Sequence, residues 1–222
     1  MSSAEPLAPS LLGRSAVLAC LVLAPALEVI ETITSPLKDT STAADLAAID
    51  AHRGVFVVSV LCGLAATALF VPAFLGLARA GVARSPIAAR IGGGVAVVSM
   101  LGFAGVRAVQ AVELETVRQA MPTHTAAALI DGIASNPIGV VVMVTFLGGS
   151  VVGTIALAVA TWRAGLPRVP AVLLVLFPVI DLAAGGHVGT IASHVVLLVA
   201  LSWFAVALRE RTAPAVGAPA LA

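Results

Sequence analysis

The sequence contains no tyrosine and only two tryptophans, and charged residues fill just 10% of its 222 positions. A soluble domain of this length carries about 25% charged residues. Hydrophobic residues make up 60% of the chain and mean hydropathy is +1.11. A water-soluble core cannot hide that much apolar surface, so the chain reads as an all-α integral membrane protein whose immediate partners are membrane lipids. Net charge is +1, which supplies no basic patch for nucleic acid. Cys20 and Cys62 each fall inside an apolar run. They read as packing residues, not as a disulfide or a metal site. Glycine-rich phosphate loops, HExxH helices, Cys/His clusters and Ser-His-Asp spacings are all missing. No metal site and no cofactor is therefore expected. His187 and His194 fall on one apolar segment, so paired haem ligands on facing helices are missing too.

What is present is a set of six apolar segments, roughly 12–34, 54–78, 90–112, 137–162, 169–186 and 188–208. Each is near the ~20 residues that carry a helix across a bilayer. Their continuous apolar character, without alternation, excludes a membrane β-barrel. The fifth and sixth segments meet at the very short turn Ala183-Ala184-Gly185-Gly186-His187. Arg14 followed by an apolar run and Ala24-Pro25-Ala26 resembles a cleavable signal. The run continues past Ala26, so the segment is expected to be retained.

Basic residues set the expected orientation. Arg14, Arg79, Arg84, Arg90, Arg163, Arg168, Arg209 and Arg211 fall on one side, and Lys38, Arg53, Arg107 and Arg118 on the other. This bias predicts a multi-pass cell-membrane protein with both termini cytoplasmic. The outer side then carries two long connections, 40–51 and 123–135. Each opens with Ser or Thr capping candidates and continues in helix formers. Both are expected to be short amphipathic helices on the outer surface.

Internal similarity divides the chain further. Arg79 to Pro86 (RAGVARSP) matches Arg163 to Pro170 (RAGLPRVP) at five of eight positions. TAADL at 42–46 matches TAAAL at 125–129, ALEVIET at 26–32 matches AVELET at 111–116 with one gap, and LFPVIDL at 176–182 matches LAPALEV at 23–29. The expected plan is a single transmembrane domain over 1–222, built from three hairpins in the same orientation. These hairpins cover about 11–79, 90–163 and 169–208, with tails at 1–10 and 209–222. The first helix of each hairpin then carries an acid toward its outer end: Glu28, Glu113 and Asp181.

The polar side chains gather at one depth. Glu28 and Glu31 lie in the outer part of the first segment. Arg107, Gln110 and Glu113 climb the third at helical spacing, Asp181 is on the fifth, and His187 and His194 share a face of the sixth. The inner half of every segment is apolar. Intramembrane ionisable residues are functional candidates by default, because a charge at the bilayer centre costs about 2.5–3.5 kcal/mol on insertion scales. Glu28, Asp181 and His194 are the catalytic candidates. Glu31, Arg107, Gln110, Glu113 and His187 are the substrate-binding candidates. Plainer readings stand beside these: Glu31 and Glu113 as solvated helix ends, Glu28 or Asp181 as an ion-pair partner of Arg107, His187 as a loop residue, and His194 as a packed histidine. Gly92-Gly93-Gly94, Gly102, Gly105 and Gly149-x-x-x-Gly153 point to close helix packing. Pro25 and Pro178 each precede an acid by three residues.

A carboxyl group in an apolar pocket keeps its proton near neutral pH and can act as a general acid. A helical bundle with acids in LEVIET (27–32) and LFPVID (176–181) resembles the membrane-bound terpene cyclases of meroterpenoid pathways. It is equally similar to small six-helix actinobacterial membrane proteins of unassigned function. The first resemblance implies acid-initiated cyclisation of a lipophilic isoprenoid in an outer-half pocket. Glu28 would be the initiating acid, with Asp181 or His194 the final base. Few aromatic residues are present to face a carbocation. The alternatives are a small-solute or proton-coupled transporter, or a non-catalytic membrane partner protein; self-association is compatible with any of them.

Overall fold

The computed structural model describes residues 13–37 and 41–211. The tails at 1–10 and beyond 211, and Lys38, lie outside the described residues. Among those described, the regular structure is helical throughout: α1 (Arg14–Thr34), α2 (Thr42–Ala51), α3 (Arg53–Val82), α4 (Pro86–Arg118), α5 (Thr123–Ser135), α6 (Pro137–Arg163), α7 (Arg168–Ala184) and α8 (Gly186–Glu210). Five of these, α1, α3, α4, α6 and α8, are long and apolar enough to cross a membrane. α7 has 17 residues and spans about 26 Å, a little short of a ~30 Å hydrocarbon core.

The six longer helices close into a ring in chain order. α1 packs on α3, α3 on α4, α4 on α6, α6 on α7, α7 on α8, and α8 returns to α1. Large apolar side chains turned outward, such as Leu61, Leu101 and Val144, are more than half exposed. That outward greasiness suits a hydrocarbon solvent. The half of the ring away from the cap helices is filled by Leu77, Leu157, Leu174, Leu201 and Phe204, all fully buried.

Glycine sets the α4–α6 seam. A Cβ on Gly92 would lie 2.7 Å from Leu157 N, and one on Gly102 would lie 2.7 Å from Phe146 N. From the opposite side, Cβ atoms on Gly149 and Gly153 would lie 2.8 Å from Ser99 Cβ and 2.9 Å from Ala96 N. The two backbones are thus close enough for Ser99 Oγ to donate to the Phe146 carbonyl at 2.9 Å. Small residues bring membrane helices together in this way because dispersion, not a hydrophobic force, drives their association.

α3 and α4 run further than the apolar segments did, to Val82 and Arg118. The C-terminal extension of α4 stays helical because Leu114 and Val117 pack on a small second core of Leu46, Ile49, Phe56, Val60 and Ala126. α2 and α5 supply three of those side chains and pack on each other, where Thr42 Oγ1 donates to Asp131 Oδ1 at 2.6 Å. They therefore form a cap on the α3 and α4 ends, instead of two separate surface helices. Ser41 caps α2 by accepting from Ala44 N at 3.2 Å. At the opposite end of the ring, Arg14 donates to the carbonyls of Leu208 and Arg209, tying α1 to the last turn of α8.

The similar turn sequences adopt different structures. Gly165 has φ +75°, the left-handed region that favours glycine, and ends α6. Its sequence counterpart Gly81 stays inside α3, where a Cβ would lie 2.8 Å from Ala160 Cβ. The α7–α8 turn uses positive φ at both Gly185 and Gly186.

Candidate functional site

A cavity of about 310 Å³ lies inside the ring, and all six long helices contribute to its wall. From Gln110 to Ala96 along α4 it extends about 21 Å. Its two ends differ in chemistry.

The polar end is built on α1. Glu28, Glu31 and Thr32 fall on one helical face, and all three are buried. Arg107 reaches them from α4 and is itself only 4% exposed. One guanidinium nitrogen donates to Glu28 Oε1 and another to Glu31 Oε1. The second also donates to Gln110 Oε1 at 3.1 Å. Ser59 of α3 donates to the Glu31 carbonyl at 3.1 Å. The guanidinium sits over the Phe103 ring, 4.5 Å from its centroid. Its other side rests on α3 at Gly63, where a Cβ would lie 2.6 Å from Arg107 Cζ. Glycine is what allows the cation that close to the α3 backbone.

α8 and α7 complete this end. His194 Nδ1 lies 3.1 Å from Thr32 Oγ1, and its Nε2 lies 3.8 Å from Glu28 Oε1. The His194 ring tilts against Phe177 with centroids 5.8 Å apart. Asp181 Oδ1 lies 2.9 Å from Ser193 Oγ, and His187 and Thr190 line the wall nearby.

Of the residues singled out from sequence, Glu28, Glu31, Arg107, Gln110, Asp181, His187 and His194 all line this one cavity. Glu113 does not. It is half-buried on α4 beneath the cap, and its Oε2 has no hydrogen-bond partner among the described residues. Two expectations need correction. Glu31 is no solvated helix end; it shares Arg107 with Glu28. Of the two ion-pair partners expected for Arg107, Glu28 is the one it bonds and Asp181 is not, because both of its bonded carboxylates come from α1.

The deep end is aromatic. Phe70 and Phe74 stack at 5.3 Å, and Phe103 and Phe146 stack at 4.5 Å. With Phe177, five of the seven phenylalanines in the chain line the cavity. Sequence reasoning did not single out these rings, nor Gly63, Ser59 or Ser193. Thr32 was in view inside LEVIET, but its place between Glu28 and His194 was not. No family model, curated protein or solved structure matches this chain.

Chemically, the site sets three carboxyl groups against one guanidinium. Arg107 compensates one negative charge of the Glu28–Glu31 pair. A second ionised carboxylate there would need a proton or another cation, because an uncompensated buried charge is costly. Among the described residues no three His, Cys, Asp or Glu side chains are grouped to hold a metal ion.

Proposed function

We propose that the protein is a cell-membrane enzyme that cyclises a lipophilic isoprenoid by protonation, with the polar end of its cavity in the outer half of the bilayer. In this reading all six ring helices span the membrane. α7 is accommodated by local thinning of the bilayer and by its flanking residues, Arg168 at one end and the glycine turn at the other. Both termini are cytoplasmic, as the basic-residue bias requires. The three hairpins are α1 with α3, α4 with α6, and α7 with α8.

The observation that carries the activity is the meeting of acids and phenylalanine faces in one chamber. Few aromatic residues exist in the chain, yet most of its phenylalanines stand where a chain-like apolar substrate would lie. Ring faces carry negative potential and favour a passing cation. Asp181 takes the role of initiating acid, in place of Glu28. Glu28 and Glu31 are held by Arg107, whereas the hydrogen-bond neighbour of Asp181 is the neutral Ser193 hydroxyl.

The Asp181 carboxyl proton adds to one carbon of a substrate alkene, whose π electrons form the new C–H bond. The cation left on the neighbouring carbon is attacked by a second alkene, which closes the ring. Loss of a proton from an adjacent carbon restores a C=C bond and leaves an isomer of the substrate. His194, or the Asp181 carboxylate produced in the first step, takes that proton. The Glu28–Arg107–Glu31 cluster fixes the wall and keeps water from the cation.

Purified protein in nanodiscs, given linear polyprenyl compounds of graded length, should yield a cyclic product of unchanged mass. Asp181→Asn should lower turnover by about 10²–10⁴, the usual contribution of a general acid. Turnover unaffected by Asp181→Asn would remove the acid role. A proton-coupled carrier is the second reading, favoured by the two carboxyls that share one guanidinium, since such a site can take up and release a cation. Substrate-dependent proton uptake into proteoliposomes, without product formation, would decide for it.

A further inference from the structure

The lipid-facing seam between α6 and α7 is lined by two rows of side chains. The inner row is Phe146 and Ser150 on α6 with Phe177 and Asp181 on α7, and all four also line the main cavity. The outer row is Leu147 and Val151 on α6 with Leu182 on α7, and the buried Pro178 lies between the rows. A small void of about 10 Å³ at this seam and the cavity thus share one wall, and that wall consists of side chains. The spacing explains why. Residues four apart on each helix form a rung, so Phe146/Ser150 and Phe177/Asp181 project inward while their next neighbours project about 100° round.

Elsewhere in the ring the helices are sealed differently. α4 meets α6 through interleaved glycines at backbone contact, and α1 meets α3 and α8 through buried side chains. α6 is also the least buried of the long helices, with 17% of its most apolar window buried against 33–44% for the others. α6 and α7 are joined by the short 164–167 connection at the end away from the polar site, so they are tethered at that end and have no direct link at the other. Leu182, 59% exposed, stands at the outer lip.

We propose that the α6–α7 seam is the entry portal for a membrane-dissolved ligand with a single narrow apolar chain, gated by rotation of the Phe146 and Phe177 side chains. The ligand comes from the bilayer, not from water. Rotamer changes of this kind need no backbone rearrangement and are fast compared with helix motions. Ser150, the small residue of the inner row, leaves the gap through which the chain passes. Asp181 stands at the threshold, so the chain meets the acid as it enters. This inference rests on the reading of the cavity as a lipophilic chamber, but not on cyclisation.

The test bridges the seam. Leu147→Cys and Leu182→Cys are combined in a protein carrying Cys20→Ala and Cys62→Ala, and joined by a reducible methanethiosulfonate cross-linker in nanodiscs. The probe is a long-chain alkyl diazirine dissolved in the nanodisc lipid, with labelled positions mapped by mass spectrometry. In the unbridged protein, labels should appear on Phe74 and Met100 at the deep end. Bridging should abolish those labels, and reduction should restore them in the same sample, which also controls for folding. Val151→Trp, uncrosslinked, should reduce deep labelling in the same way. Deep labelling that persists with the bridge in place overturns the portal while leaving the lipophilic chamber intact. Absence of deep labelling in the unbridged protein overturns the chamber reading and the portal together.

Discussion

Replacing Arg107 with methionine should be among the most damaging single changes in the protein. The side chain is buried, bonds two carboxylates, and lies between Phe103 and Gly63. Methionine fills much of the same volume, so the lost packing is small. What remains is two carboxyl groups in a buried site without their cation. Glu31 keeps Ser59 and Thr32, but Glu28 keeps only His194 at 3.8 Å, and its Oε2 already has no partner among the described residues. Removing one partner of a buried ion pair costs about 3–5 kcal/mol, because the other charge stays behind. That is roughly a 10²–10⁴ change in the folded-to-unfolded ratio, at about 1.4 kcal/mol per factor of ten. Adding Glu28→Gln and Glu31→Gln removes the stranded charges. The triple variant should therefore recover most of the loss, despite carrying three substitutions. Reversible unfolding in mixed micelles of increasing denaturing detergent, followed by Trp162 and Trp203 fluorescence, measures both. An Arg107→Met loss below about 1 kcal/mol, or a triple variant no better than the single, would refute the reasoning.

Gly63→Ala should destabilise by about 1–3 kcal/mol through overpacking against the pinned guanidinium, and the loss should vanish in an Arg107→Ala background, where the space is empty; the same unfolding assay shows it. Gly153→Leu should separate α6 from α4 and abolish folding to a monodisperse species on size-exclusion chromatography, whereas Gly94→Ala, which meets nothing within 4 Å, should be silent. For orientation, Asp45→Cys in a protein lacking Cys20 and Cys62 should react with an impermeant thiol reagent on intact cells, and Arg84→Cys only after permeabilisation. Reaction at position 84 on intact cells would reverse the assigned topology.

Hydropathy made the long helices legible, because a run of apolar residues has no other use in this composition. The start of α2 was legible, and Ser41 does cap it, whereas α5 follows Pro122 and has no side-chain cap. That they pack together was not, since the contact between Leu46, Ile49 and Ala126 joins segments 80 residues apart and leaves no local signal. The polar residues were legible as a set by depth. Their pairing was not: Glu28 and Glu31 are one turn apart, and the roll of α1 against α4 decides which carboxylates meet Arg107. The aromatic end was invisible for the same reason. Phe70, Phe103, Phe146 and Phe177 stand on four different helices and converge only when the ring closes. The matched turn sequences at 79–86 and 163–170 misled in detail, because Gly81 serves helix packing and Gly165 serves a left-handed turn. Glu113, the sequence counterpart of Glu28, likewise sits outside the cavity wall.

The central claim is that a carboxyl of this chamber protonates carbon on a lipophilic chain. Turnover of a linear polyprenyl compound in deuterated water tests it most directly. The carboxyl proton exchanges with solvent between turnovers, so each cyclisation should place one solvent deuteron on a carbon of the product, detected as a one-unit mass increase over the same reaction in ordinary water. Asp181→Asn should lower product and label together by about 10²–10⁴. A cyclic product without deuterium, or full labelling by Asp181→Asn, would contradict the account.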